Sequence, residues 1–151
     1  MAITVKQMNR FLKYKLPSAY LCGVKLIELT KTNAIVIVRL NWLNKNPFRS
    51  LYFAVQSMAA ELSTGAMVFS KINECGEKVS MLVTNHSGRF VKKAVGKITF
   101  ECVDGSVVEH ALKQTLETKN PQVFEMKSIG TDEAGDQVSY YTFEWSIRLK
   151  A

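Results

Sequence analysis

One carboxylate stands by itself in the most apolar part of this chain. Between Arg49 and Lys71 the only ionisable side chains are Glu61 and the phenol of Tyr52. An acid buried among apolar groups needs a partner, a wet cavity or a raised pKa. With its pKa raised, such a carboxyl can serve as general base or nucleophile near neutral pH. The competing reading is structural: Glu61 emerges at a gap in a sheet, or pairs with Arg39 or Arg49. The residues by themselves leave both readings open. No other chemistry assembles. Cys22, Cys75 and Cys102 are odd in number and form no Cys-x-x-Cys, which argues against a disulfide framework or a zinc site. His86 and His110 lack Cys or acid neighbours at metal spacing, so they read as surface or core histidines. Gly-x-Ser-x-Gly, P-loop and dinucleotide fingerprints are absent.

The elements that must position Glu61 follow from periodicity. The stretch from Asn46 to Phe69 reads as one long buried helix: from Ser50 to Phe69 apolar residues cover nearly the whole circumference, and a helix apolar all round sits inside a protein. Alanine, methionine and leucine favour helix over two short buried strands. Thr4-Val5-Lys6-Gln7 is a capping box that opens an N-terminal helix, ended by Pro17. Strands are expected over 19–29 and 33–43, the second with Ala34, Val36, Val38, Leu40 and Trp42 on one face. A third follows from Val79, with Phe90 beyond it, and a fourth covers Val95–Val103. Ser106-Val107-Val108-Glu109 is a second capping box and opens a short helix near 107–118. Strands 122–130 and 137–149 close the chain, with Tyr141, Phe143, Trp145, Ile147 and Leu149 on one face. Six strands and one all-apolar helix have a simple packing solution: a curved antiparallel sheet that curls around the helix, an α+β fold in one domain, 1–151.

The segment Asn46-Pro47-Phe48-Arg49-Ser50-Leu51-Tyr52-Phe53-Ala54, followed by Ala59-Ala60-Glu61-Leu62, resembles the signature of PaaI-type hot-dog thioesterases. That signature is Asn-x-x-Gly-(Ser/Thr)-x-His-Gly-Gly, then an acid in the central helix fifteen residues after the Asn, the spacing that separates Asn46 from Glu61. The match is nearest an uncharacterised branch in which an aromatic residue and an Ala-Glu pair follow the first motif. The resemblance implies the hot-dog fold and an acyl-CoA or acyl-carrier-protein thioesterase. It implies Glu61 as general base or nucleophile, Asn46 orienting water, and an oxyanion donor among the backbone N–H groups near Phe53. It implies further that Ser50 and Tyr52 line the substrate site. Ser80 or Thr84 would enter from a partner protomer, and Arg89, Lys92 and Lys93 would meet the phosphates of coenzyme A. Coenzyme A would arrive as part of the substrate, with no separate cofactor. Arg49, Tyr52, Phe53 and Ala54 depart from the Gly, His and Gly pair of the signature. A non-catalytic acyl- or lipid-binding module on the same fold is the alternative.

Charge is unevenly placed. Residues 1–60 hold nine Lys/Arg against Glu28 alone, a net +8, whereas 61–151 sum to −1. A basic face attracts phosphates, on nucleic acid, anionic lipid or a cofactor. Nucleic acid ranks last, because Lys and Arg are absent from 128–147, where the aromatic stripe would otherwise suggest stacking. No apolar run is long enough to span a bilayer, and no signal peptide follows Met1. The expectation is a cytoplasmic homodimer, with tetramers open.

Overall fold

A computed structural model describes residues 1–151. Helix α1 (Val5–Lys15) is opened by the expected capping box: the Gln7 N–H donates to Thr4 Oγ1 (3.2 Å) and the Thr4 N–H to Gln7 Oε1 (2.9 Å). Helix α2 (Pro17–Leu21) follows at once. Pro17 therefore does more than end α1. With no N–H to satisfy and φ already fixed, it starts the next helix at its first position, so the strand expected from Ala19 begins only at Lys25. Strands β1 (Lys25–Leu29) and β2 (Ala34–Arg39) lead to the central helix α3 (Phe53–Cys75). Then come β3 (Val79–Phe90), β4 (Lys97–Cys102), α4 (Gly105–Thr118), β5 (Gln122–Thr131) and β6 (Gln137–Leu149).

The strands form one antiparallel sheet in the order β1-β2-β4-β5-β6-β3. Helix α3 touches all six strands, as a helix wrapped by a sheet must. Buried polar pairs tie α3 to β5 and β6: Trp145 Nε1 donates to Thr64 Oγ1 (3.0 Å), Ser139 Oγ to Gln56 Oε1 (3.0 Å), and Ser63 and Ser128 share a 2.7 Å bond. Each satisfies groups that would be costly to bury alone. The apolar stripe Tyr141, Phe143, Trp145 and Ile147 of β6 is buried as expected.

Helix α3 starts seven residues later than the expected Asn46, three after the apolar run begins at Ser50, and ends six residues beyond Phe69. Leu51 pairs instead with Lys45 in a short bridge, and its N–H donates to Ala94 O (2.9 Å). The final turns carry Lys71, Asn73 and Glu74 because there the helix emerges from the sheet; left-handed Gly76 (φ 75°) caps it. Helix α4 is capped at Asp104, not Ser106, and starts earlier than expected. A Cβ on Gly105 would lie 2.2 Å from Lys31 O, so only glycine fits where that helix meets the β1–β2 hairpin.

Candidate functional site

The Glu61 side chain, half-buried near the middle of α3, makes no hydrogen bond and no ion pair. Arg39 pairs with Glu133 instead (3.5 Å), and no carboxylate lies within ion-pair distance of Arg49. Burial lifts the Glu61 carboxyl from 4.5 to about 7, so neutral pH holds protonated and ionised forms together. The carboxyl is seated on Gly65, one turn along. A Cβ there would stand 2.8 Å from Glu61 Oε1 and 3.2 Å from the Trp145 ring. Gly65→Ala would gain helix propensity, roughly 1 kcal/mol, but its methyl must push the carboxyl aside. We expect melting temperature to change little and any Glu61-dependent turnover to fall about tenfold, since small misplacements are costly in catalysis.

Before α3, a loop is wound around Asn46. Its Oδ1 accepts the N–H of Phe48 (2.9 Å) and of Ser50 (3.2 Å), and its Nδ2 donates to Ser50 Oγ (2.9 Å). One N–H of the amide remains free. Arg49 sits at φ 61°, the left-handed conformation that glycine adopts without strain. Arg49→Gly should therefore raise stability by up to about 1 kcal/mol, read as a higher urea midpoint. A fall in the midpoint would refute this account of the loop.

The loop, the first turn of α3 and residues 90–94 enclose a cleft of about 590 Å³, lined by Asn46, Ser50, Tyr52, Phe53, Phe90 and Lys93 among others. Tyr52 is the N-cap of α3 but makes no side-chain cap. The Val55 and Gln56 N–H groups donate to Tyr52 O; those of Phe53 and Ala54 donate to no protein acceptor. Two unspent donors at the positive end of a long helix suit an anion. Rings crowd this end: Tyr52–Phe53, Phe53–Phe90 and Phe90–Tyr141 meet edge-on at 4.9, 6.4 and 5.8 Å. The Tyr141 hydroxyl reaches Ser57 Oγ (3.1 Å).

Glu61 does not line this cleft. Eight residues separate it from Phe53, about 12 Å along the axis at ~1.5 Å per residue. One reacting carbonyl cannot touch both within one chain.

The strand residues fall differently from expectation. Along β3, Val79, Met81 and Val83 pack on the core, so Ser80 and Thr84 point to the opposite face. There they bond to β6: Ser80 Oγ donates to Arg148 O (3.2 Å) and Thr84 Oγ1 to Glu144 Oε1 (2.7 Å). Within one chain they therefore stand apart from the cleft. The register shifts between Val83 and Asn85, and this bulge reverses the alternation. His86 consequently turns towards the helix side and stacks on Phe143, centroids 5.7 Å apart. Sequence reading missed His86 because nothing local announces the bulge.

The three cations expected to meet phosphates also divide. Lys92 donates to Asp132 and Asp136 (2.7 Å each). These bonds raise its pKa and lower that of Asp132, so its charge is spent on the β5–β6 turn. Arg89 pairs with Tyr140 on the outer face. Lys93 remains, its ammonium 6.0 Å from the Phe48 ring centroid at the cleft. No three His, Cys, Asp or Glu side chains converge to hold a metal, and no helix is long and apolar enough to cross a membrane.

A six-stranded antiparallel sheet wrapped around one long central helix is the hot-dog fold. Solved structures share it over the whole chain. A Pseudomonas aeruginosa protein of unknown function, described as a probable thioesterase, superposes with a TM-score of 0.85 at 20% identity, covering 99% of each chain. A protein of unknown function from Chlorobaculum tepidum gives 0.83 at 15% identity, again over 99% of each. A Haemophilus influenzae thioesterase gives 0.74 at 12% identity, over 99% of this chain and 93% of its own. These likenesses are to the fold. No protein-family model matches the chain, and no curated protein sequence matches it.

Proposed function

We propose that the protein hydrolyses acyl thioesters, of coenzyme A or an acyl-carrier protein, at a site shared by two protomers. The observation that carries this reading is Glu61, a half-buried carboxyl without a partner and with a pKa of about 7, on the central helix. A general base works best when its pKa lies near the working pH. The fold neighbours described as thioesterases support the reaction class.

In this reaction the Glu61 carboxylate takes a proton from water, and the water oxygen bonds to the thioester carbonyl carbon. The carbonyl oxygen becomes an oxyanion held by the free N–H groups of Phe53 and Ala54. The C–S bond then breaks, and the thiolate leaves with the proton from Glu61. Asn46 offers its free N–H to substrate or water, Ser50 and Tyr52 bound the cleft, and Lys93 meets a phosphate of the carrier. The 12 Å between Glu61 and Phe53 is the argument for two protomers: Glu61 of one works with the helix start of the other. The second half of β3, exposed on both faces at the sheet edge, offers a surface for that homodimer. Such an enzyme would work in the cytoplasm, where its carriers are found.

The test is release of free thiol from acyl-CoAs graded in chain length and polarity. Turnover of at least one class is expected. Binding of acyl-CoA without turnover would replace this reading by that of a binding module.

A further inference from the structure

The face of β2 expected to continue through Leu40 and Trp42 stops at Arg39. The chain turns there, and two asparagines tie the turn. Asn44 Oδ1 accepts the Asn41 N–H (2.8 Å), Asn41 Oδ1 accepts the Leu43 N–H (2.8 Å), and Asn44 Nδ2 donates to Arg39 O and to Cys22 O (2.9 Å each). Asn44 is fully buried, so the turn is rigid. At its tip Trp42 is 81% exposed and Leu43 55%. The bond to Cys22 sets this tip beside the end of α2, where Leu21 is 64% exposed. Large apolar side chains held rigidly in water need an explanation.

Charge indicates what meets them. From Leu29 to Ala60 the chain contains no acid. Lys45, which follows the turn, has no carboxylate within ion-pair distance, and neither have Lys13, Lys15 and Arg49; Arg39, which precedes the turn, is paired with Glu133 (3.5 Å). An apolar wedge with tryptophan at its apex, followed directly in the chain by the unpaired Lys45, matches the layering of a lipid surface: acyl chains, then headgroup level, then anionic phosphates. A protruding tip of three side chains is a poor match for a second protein, since standard interfaces use about 800 Å² per partner. Leucines beside a single tryptophan also offer no platform for successive bases.

We propose that the Asn41–Asn44 turn, with Leu21, docks the protein reversibly on anionic phospholipid bilayers by inserting Trp42 and Leu43 at headgroup depth. The proposal is independent of the thioesterase reading.

Trp42 is itself the probe, because the other tryptophan, Trp145, is only 3% exposed. The full chain is mixed with phosphatidylcholine vesicles containing or lacking phosphatidylglycerol, and followed by co-sedimentation and tryptophan emission. Binding to the anionic vesicles is expected, with a blue shift of emission, quenching by bromine-labelled acyl chains, and weakening in high salt. Trp42→Ala should bind at least tenfold more weakly while melting at the same temperature, and Leu43→Ser should weaken binding in the same direction with Trp42 still reporting. Four results would overturn the proposal. They are no binding to anionic vesicles, equal binding by Trp42→Ala, a Trp42 blue shift that tracks protein concentration without vesicles (a second copy on the tip), and tighter Trp42-dependent binding to a single-stranded oligonucleotide.

Discussion

Glu61→Gln is expected to make the folded protein more stable above pH 7 while removing the proposed thioester hydrolysis. The folded carboxyl has a pKa of about 7 against an ordinary 4.5, so the folded state holds its proton more tightly than the unfolded chain does. Where the folded state binds more protons, stability falls as pH rises. The loss begins near the unfolded value, grows as pH climbs to about 7, and is complete above it. At ~1.4 kcal/mol per pKa unit the full cost is about 3 kcal/mol. Glutamine keeps the shape and carries no charge, so the variant should match the native protein near pH 4.5 and exceed it by up to about 3 kcal/mol at pH 8. Urea midpoints at the two pH values read this directly. Removing a general base should lower kcat by about 10² to 10⁴. In the native protein the kcat of the proposed reaction should rise with pH through about 7, as the carboxylate forms. A stability difference that ignores pH would mean that the Glu61 carboxyl is not desolvated as described; unchanged turnover would remove it from the chemistry.

A residue that costs stability where it sits is easier to find in sequence than one that helps. Glu61 interrupts an apolar helix, and that contrast needs no knowledge of tertiary structure. The central helix was legible by its apolar circumference, whereas Asn46 stood out only through the resemblance to the thioesterase signature. What stayed hidden depends on distant partners. Lys92 looks free until the β5–β6 turn brings Asp132 and Asp136 to it, about forty residues later in the chain. Ser80 and Thr84 were placed by their neighbourhood in β3, not by alternation, which already sets them opposite Val79, Met81 and Val83. A bulge beside Thr84 then brings His86 to the helix side; β3 is exposed on both faces there, so no hydrophobic pattern marks the slip. Trp42 fits the alternation of β2 but leaves it, because the side chains of Asn41 and Asn44 bond the backbone more favourably as a turn.

The assignment of the oxyanion donor can be tested without disturbing the helix. Phe53→Pro is expected to lower kcat by about 10² to 10³, and Phe53→Ala to leave most of it. Proline is accepted at the first position of a helix, where its missing N–H has no intrahelical acceptor. The preceding residue must be extended, and Tyr52 is (φ −61°, ψ 135°). Both variants lose the ring that packs edge-on against Tyr52 and Phe90; only proline loses the donor. Their difference therefore isolates one N–H, and losing one oxyanion donor typically costs about 3–4 kcal/mol of transition-state stabilisation. Equal kcat for the two variants would move the oxyanion elsewhere. The same pair tests the sharing of the site. Within one chain Phe53 and Glu61 stand about 12 Å apart on the helix, so a shared site takes its base from one protomer and its donor from the other. A mixed dimer of Phe53→Pro with Glu61→Gln then holds one site with both defects and one with neither. Mixing two nearly inactive proteins should restore a substantial fraction of native turnover. A site contained in one chain would leave every site in the mixture defective, and mixing would restore nothing.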